Sequence, residues 1–272
     1  MEKTDNRLRK DRKIGILYIC TGKYVIFWEN FYKTAQEFLL KQYSKHYFVF
    51  TDSIVINSNE NITVIQKKYE GFPMDSLLRF EIFNGIKQHL VEYDYIYFFN
   101  SNMSFVAPVS EEIFPDRFPS GLTGVIHPGH YNRNPFWFPY ERNPKSAAMI
   151  SYKPGRKKYF AGCLFGGKTD AFLELAEKCA GKIRDDLNNG IIAVYHDESH
   201  LNHYFSDKKI LELDPGFAFP EGWDIPFSAR IIVLNKVLHG GTFFNKASDR
   251  TLIRRIYQKL IFILKSISWY LR

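Results

Sequence analysis

Residues 95–102 read Tyr-Ile-Tyr-Phe-Phe-Asn-Ser-Asn, an apolar run that ends in two amides, Asn100 and Asn102. The apolar part is typical of a buried strand, and side chains two residues apart on an extended chain point the same way. In open α/β sheets, ligands bind beyond the carboxyl ends of the strands. We therefore expect Asn100 and Asn102 to lie at the functional site.

The nature of these two side chains bears on the chemistry of the site. Neutral amides are weaker partners for a hard divalent cation than carboxylates are. The three cysteines, Cys20, Cys163 and Cys179, have an odd count and no metal-ligand spacing. They argue against a zinc site or a disulfide framework and favour a reducing compartment. We therefore expect a protein without metal or cofactor.

The order of the predicted elements indicates the fold class. Strand patterns over 14–20, 47–51, 62–66 and 95–99 alternate with helical patterns over about 26–42 and 76–92. Such alternation predicts an α/β fold with a parallel-type sheet and helices packed on it.

The second half of the chain is less regular. Residues 108–144 are rich in Pro, Gly, Asn and aromatic residues, and predict long ordered loops over a cleft. A strand ending in Gly166-Gly167 follows, with helices over about 170–184 and from about Asp197.

The net charge of +8 is concentrated at the two ends of the chain. Residues 1–13 carry +3 and residues 248–272 carry +5, which leaves the body neutral. The body therefore lacks the basic face that tracks a phosphate backbone, and we expect no nucleic-acid partner. We divide the chain into a basic N-terminal extension (1–13), one globular domain (14–247) and a basic amphipathic tail (248–272).

The tail mixes basic residues with Leu, Ile, Phe, Trp and Tyr, and two interpretations stay open. A basic amphipathic helix can lie in the interface of an anionic membrane, with Trp269 and Tyr270 at headgroup level. Alternatively, the helix packs on the body. No apolar run reaches the roughly 18 residues of a spanning helix. We expect a cytoplasmic protein, peripheral on the cytoplasmic membrane face if the first interpretation holds.

Three further segments carry polar groups where strands end or helices begin. The first, Ile19–Tyr24, supplies a glycine for a tight turn and a tyrosine ring that could stack on a base. The second, Asp75–Arg79, either caps a helix and exposes an arginine, or brings the arginine fork to a phosphate.

The third segment, His196–Asn202, combines two adjacent carboxylates with two imidazoles. Helix capping explains Asp197. Glu198, beside a cleft, could stabilise positive charge on a sugar ring. The nearby histidines form a weaker, metal-binding alternative, because their spacing matches no known zinc pattern.

Taken in order, these segments resemble glycosyltransferase family 6, the family of the blood group A and B transferases and of α1,3-galactosyltransferase. The resemblance spans about residues 14–245 and is carried by Ile19–Tyr24, Asp75–Arg79, Asn100-Ser101-Asn102, His127-Pro128-Gly129, Tyr140-Glu141-Arg142, Phe160–Gly167 and His196–Asn202. It implies a GT-A type nucleotide-sugar-binding domain with a mixed, mostly parallel sheet flanked by helices, here followed by a basic amphipathic C-terminal helix.

The resemblance also implies a reaction: transfer of galactose or N-acetylgalactosamine from its UDP-sugar to the 3-hydroxyl of an acceptor galactose, with retention of the α configuration. Glu198 matches the catalytic glutamate, which either attacks the anomeric carbon or stabilises an oxocarbenium-like transition state. Implied donor-binding residues are Ile19, Thr21, Tyr24, Arg79, Asn100, Asn102, Ala161, Gly162, Cys163 and Asp197. Implied acceptor-binding residues are His127, Tyr195 and Glu221.

This chain departs from the animal members, which carry Asp-x-Asp at the position of Asn100-Ser101-Asn102, and is closer to the bacterial members. Without a metal, a cationic side chain must neutralise the leaving diphosphate. We assign this to Lys236 in the donor site, with Lys246 as a second, weaker candidate.

Donor and acceptor preferences also follow from the resemblance. Ala161-Gly162-Cys163 matches the segment that discriminates between the two donor sugars in the blood group enzymes. Cys163, at the third position, takes the room of a 2-acetamido group and so favours UDP-galactose. The match at His127 suggests a fucosylated galactose acceptor.

Two other function classes stay open. One is a catalytically inactive nucleotide-sugar or glycan-binding module with the same fold. The other is a hydrolase that uses Asp197 and Glu198. The hydrolase is disfavoured, because adjacent residues on a helix do not face each other across a bond.

Overall fold

The computed structural model describes residues 12–153, 158–244 and 252–271. Its strands are β1 (Lys13–Ile19), β2 (Ser44–Thr51), β3 (Ile62–Gln66), β4 (Tyr95–Phe99), β5 (Met103–Phe105), β6 (Leu122–Ile126), β7 (Phe160–Lys168), β8 (Leu211–Leu213), β9 (Phe219–Pro220) and β10 (Ile231–Val233). Within the described residues, seven strands form one sheet in the order β3-β2-β1-β4-β7-β6-β8, and β5, β10 and β9 form a smaller one. In the large sheet only the two pairings of β7 are antiparallel. The predicted mixed, mostly parallel sheet is confirmed.

The helices cover both faces of the large sheet. They are α1 (Trp28–Phe38), α2 (Met74–Leu77), α3 (Arg79–Asn84), α4 (Lys87–Leu90), α5 (Thr169–Asn188), α6 (His196–Phe205), α7 (Lys236–Gly240) and α8 (Leu252–Tyr270). Short 3-10 turns lie at Gly22–Phe27, Glu111–Ile113, Pro135–Trp137, Pro215–Ala218 and Thr242–Phe244.

Alternation of side chains along the apolar strands fills two separate cores. In β1, Ile16 and Tyr18 face one core, together with Phe31 of α1. Leu17 faces the other core, together with Phe83 of α3 and Phe172 of α5. Because the central strands are apolar on both faces, they are buried on both, as expected for parallel strands between helix layers.

The predicted spans of β3 and β4 are confirmed, whereas two other local predictions are wrong. The continuous helix over 76–92 is three short helices, α2 to α4, which are interrupted at Leu78 and at Gly85-Ile86. The loop segment 108–144 contains strand β6. Gly124 lacks the apolar side chain by which a strand is recognised in a sequence. Packing requires glycine there, because a Cβ atom would lie 2.7 Å from a ring carbon of Phe205.

A bulge in β7 shapes the edge of the sheet that carries the predicted site. Phe165 pairs with Gly124 of β6, whereas Ala161 already pairs with the next β6 residue, Val125. The three intervening residues, 162–164, therefore leave the β6 ladder. On the β4 side, the carbonyl of Cys163 accepts a 2.8 Å hydrogen bond from the N–H of Asn100. The bulge thus brings the predicted donor segment beside the end of β4.

The C-terminal helix α8 packs on the body of the protein. Trp269 is only 4% exposed, and its indole N–H donates to the carbonyl of Ile150. The Tyr270 hydroxyl donates to Asn134 Oδ1 at 3.0 Å, and its ring packs on Tyr152. The predicted headgroup position of Trp269 is therefore wrong, since this side chain is buried in the protein. In the described part of the chain, no helix is both long and apolar enough to cross a bilayer.

Contact between β7 and β4 leaves no room for a side chain at Gly166. A Cβ atom there would lie 2.4 Å from the carbonyl oxygen of Ile96 and 2.8 Å from Cα of Tyr97. We expect Gly166→Ala to lower the free energy of unfolding by about 1–3 kcal/mol, because the backbone of β4 would have to shift. Urea unfolding curves measure this change.

The matched control is Gly181→Ala in the middle of α5, where a Cβ atom meets nothing within 4 Å. This substitution should raise the free energy of unfolding by about 0.5–1 kcal/mol, because alanine favours the helix. Equal effects of the two substitutions would contradict the β4–β7 pairing.

Candidate active site

A cavity of about 310 Å³ opens where β1 and β4 end. Because these strands are parallel neighbours, their carboxyl ends meet at one edge of the sheet. The cavity brings together six predicted donor residues: Ile19, Thr21, Tyr24, Arg79, Asn100 and Lys236. Tyr69, Phe72, Asp75, Ser76, Phe98, Ser101, Phe243 and Phe244 complete its lining.

Arg79 is a buried cation at the inner end of this cavity, not a surface residue. Its side chain is 8% exposed, and its Nε lies 3.1 Å from Oδ2 of Asp197. Its Nη1 donates to the carbonyl of Gly162 at 2.7 Å, and its guanidinium lies 4.5 Å from the ring centroid of Phe98. As the first residue of α3, Arg79 therefore ties this helix to both β7 and α6.

The backbone of Gly162 also holds Glu198, through its N–H group. The Gly162 N–H donates to Oε2 of Glu198 at 2.7 Å, and the Tyr159 hydroxyl donates to Oε1 at 2.7 Å. Both carboxylate oxygens thus accept a hydrogen bond, one from Gly162 in β7 and one from Tyr159 just before it, which fixes the orientation of the group. A Cβ atom on Gly162 would lie 3.3 Å from Oε2 of Glu198 and 3.4 Å from Oδ2 of Asp197, so glycine leaves the space that both carboxylates occupy.

Burial sets the protonation behaviour of these groups. It raises the pKa of Asp197 to about 7 against the opposing effect of Arg79. Burial also raises the pKa of Glu198, whereas the hydrogen bonds from Gly162 and Tyr159 favour its ionised form. The pKa of Tyr159 is raised by burial and by Glu198, so its hydroxyl keeps the proton that it donates.

The two amides at the end of β4 bind each other. The Asn100 side-chain NH₂ donates to Oδ1 of Asn102 at 3.1 Å, and the Asn102 NH₂ donates to the carbonyl of Leu234 at 2.7 Å. Two carboxylates could not form this chain, because ionised carboxylates have no donor. The amide pair therefore links the sheet edge to the segment that leads into α7.

Lys236, the first residue of α7, lies over Tyr24. Its Nζ is 3.3 Å from the Tyr24 hydroxyl and 4.8 Å from the ring centroid. Phe244 packs edge-on against the same ring, with 4.9 Å between centroids. The C-terminal part of the domain thus closes one side of the cavity. Lys246 lies outside the described residues.

Asp75 shapes the mouth of the cavity without capping a helix. It lies within α2, not before it, and accepts hydrogen bonds from the Gly71 N–H at 2.9 Å and from the Thr21 hydroxyl at 3.3 Å. It also forms an ion pair with Lys67. The capping interpretation of Asp75 is therefore wrong.

Two of the predicted acceptor residues, His127 and Tyr195, contact Tyr159 and Glu198, respectively. The ring of His127 packs on Tyr159, 5.8 Å between centroids, and its Nδ1 accepts from the N–H of Gly129. Burial lowers the pKa of His127 to about 4, which keeps the imidazole neutral. Tyr195 immediately precedes α6, and its ring is half exposed.

Glu221 is engaged with the segment around α7. It accepts a 2.6 Å hydrogen bond from the N–H of Asn235 and lies 2.9 Å from Nε2 of His239. It thus contacts the segment that positions Lys236, the next residue after Asn235.

The histidines near α6 have separate partners. His196 packs on Phe72, and fully buried His200 lies 3.5 Å from Asp186. His203 lies 2.9 Å from Nζ of Lys182. Among residues 12–153, 158–244 and 252–271, no group of three or more His, Cys, Asp or Glu side chains is arranged to hold a metal ion.

Sequence reasoning missed two contributions to the site. Tyr159 reads as one more apolar strand residue, and its contact with Glu198 joins residues 39 positions apart. The aromatic residues Tyr69, Phe72 and Phe243 line the cavity but carry no motif. Their place at the cavity follows from the folded chain, which brings the segment before α2 and the segment after α7 to the same edge of the sheet.

Comparison with known proteins gives consistent matches. The glycosyltransferase family 6 model matches residues 4–239. The O-antigen biosynthesis glycosyltransferase WbnI of Escherichia coli is 36% identical over 226 residues, which are 82% of this chain and 94% of that protein.

Two animal proteins are also similar. The globoside α-1,3-N-acetylgalactosaminyltransferase 1 of Homo sapiens is 30% identical over 80% of this chain and 64% of its own length. The histo-blood group ABO system transferase 2 of Rattus norvegicus is 32% identical over 73% of this chain and 60% of its own length. The chain spans less than two thirds of these animal relatives. From the extent of the family match, and from the relatives that share it, the chain belongs to glycosyltransferase family 6.

Proposed function

We propose that the protein is a retaining α1,3-glycosyltransferase that moves galactose, or N-acetylgalactosamine, from its UDP-sugar to the 3-hydroxyl of an acceptor galactose without a metal. The observation that carries this proposal is the fixed carboxylate of Glu198, held by Gly162 and Tyr159. Arg79 links the same glycine to the cavity at the sheet edge. Two relatives whose names state α-1,3-N-acetylgalactosaminyl or blood group transfer support the class of reaction.

Charge balance explains how the site would act. When the bond between the anomeric carbon and UDP breaks, positive charge develops on the sugar and negative charge on the diphosphate. Ionised Glu198 would stabilise the positive charge on the sugar, whether or not it also attacks the carbon. Lys236, at the cavity wall, would stabilise the negative charge on the diphosphate. Arg79 balances the carboxylate of Asp197, so the site can accept an anionic donor.

Transfer assays test the proposed reaction. The protein is incubated with UDP-galactose or UDP-N-acetylgalactosamine and with lactose or 2′-fucosyllactose, and the product linkage is determined by NMR. We expect an α1,3-linked product, formed faster from UDP-galactose and on the fucosylated acceptor. Absence of both transfer and donor hydrolysis would favour the inactive binding module instead.

The role of Glu198 is tested by Glu198→Gln. The amide keeps the shape of the side chain but loses its charge, so we expect kcat to fall about 100- to 1,000-fold. Calorimetry should show little change in UDP binding, because UDP lacks the sugar that this charge faces. Glu177→Gln, on the exposed side of α5, is the control and should leave kcat unchanged.

Lys236→Ala tests the neutralisation of the leaving diphosphate. Since Lys236 would act mainly when negative charge develops, we expect kcat to fall about 100-fold and KM for the donor to change less. Exposed Lys178→Ala removes the same charge far from the cavity and serves as control. If turnover by Lys236→Ala matches that of the control, Lys236 has no such role.

Cys163→Gly tests donor discrimination. Cys163 is partly exposed and follows the glycine that holds Glu198. Removing its side chain opens room beside the donor sugar, so we expect the ratio of kcat/KM for UDP-N-acetylgalactosamine to that for UDP-galactose to rise about tenfold. Cys163→Ser, of similar size, should keep the original ratio. An unchanged ratio in the glycine variant would contradict the role of Cys163 in donor discrimination.

A further inference from the structure

Helix α8 presents an exposed apolar stripe on the side away from the body. Leu260, Leu264 and Ile267 of α8 are 54%, 66% and 46% exposed, and Leu271, which follows the helix directly and donates its N–H to the carbonyl of Ile267, is 82% exposed. Their spacing of four, three and four residues places them on one face of the helix. Because Ser266 and Trp269 are buried in the contact with the body, the docked face and this stripe are different surfaces.

The charged residues in the sequence of α8 are all positive. Lys259 and Lys265 are exposed, and at about 100° per residue they lie one on each side of the stripe, about 110° and 130° from its centre. From residue 251 to the C-terminus, the sequence carries five basic residues and no acidic one. Apolar side chains between flanking lysines are the pattern of a helix that lies in the interface of an anionic membrane.

A cavity of about 190 Å³ lies beside the stripe, between α8 and the segment around residue 143. Its lining contains Lys265 and Arg142, and no acidic residue of the described ranges lines it. Arg142 is 8% exposed. Its Nη atoms donate to Ser266 and to the carbonyls of Phe136 and Phe138, and its Nε has no hydrogen-bond partner among the described residues. This cationic recess adds a place for an anionic headgroup next to the apolar side chains.

We propose that α8 docks the protein on the surface of a bilayer that contains anionic lipids, with Leu260, Leu264, Ile267 and Leu271 inserted below the headgroups. Trp269, in contrast, anchors the helix to the protein. A second copy of the chain fits this face less well, because two such basic surfaces would repel each other. The proposal does not depend on the transferase activity.

Co-sedimentation with vesicles tests the proposal on the full chain. We expect binding to vesicles of phosphatidylglycerol and phosphatidylcholine, weaker binding as salt rises, and little binding to phosphatidylcholine alone. Leu264→Asp should lower the partition onto the anionic vesicles roughly tenfold or more, because it places a charge in the inserted stripe. Leu260→Asp should act in the same way.

The matched control is Val91→Asp at the end of α4, where the side chain is 57% exposed. It adds the same charge elsewhere and should bind vesicles as the unaltered protein does. Thermal unfolding of all variants checks that each is folded. The proposal is overturned if the unaltered protein does not bind anionic vesicles, or if Leu264→Asp binds them equally well. It is also overturned if sedimentation shows instead a dimer that this substitution dissociates.

Discussion

The buried guanidinium of Arg79 is the interaction on which the site depends. It joins the start of α3 to the carbonyl of Gly162 in β7 and to Asp197 in α6. An unpaired charge at such a buried position would be costly, so the three elements are held in one arrangement. Since the N–H of the same glycine donates to Glu198, one residue, Gly162, contacts both the cation and the carboxylate through its backbone.

The sheet supplies the second constraint. Residues 162–164 of β7 leave the β6 ladder. This bulge exposes the backbone of Gly162 to α6, while the Cys163 carbonyl still accepts a hydrogen bond from the N–H of Asn100. The amide pair Asn100 and Asn102 then continues this connection to Leu234 and so to Lys236. Fixed side-chain charges on separate elements, Arg79 and Lys236, therefore meet around one cavity. This arrangement favours a site in which protein side chains balance the charge of an anionic ligand.

Sequence reasoning located much of this site, for identifiable physical reasons. Strand β4 is a contiguous apolar run that ends in polar residues, so both its span and the position of Asn100 could be predicted. The depth of Arg79 could not, because an arginine one turn into a helix is exposed unless a neighbouring strand covers it. The contact of Tyr159 with Glu198 likewise joins residues 39 positions apart, which no local pattern indicates. For Trp269, an amphipathic helix can turn either face to the body, and the sequence does not decide which.

In the proposed reaction, protein side chains, not a bound cation, balance the charge of the departing diphosphate. The most direct measurement is the initial rate of sugar transfer from UDP-galactose by the unaltered protein in EDTA and again in excess Mn²⁺. If side chains alone balance this charge, the rates in the two conditions are equal. Loss of transfer in EDTA, with recovery when Mn²⁺ is added, would contradict it.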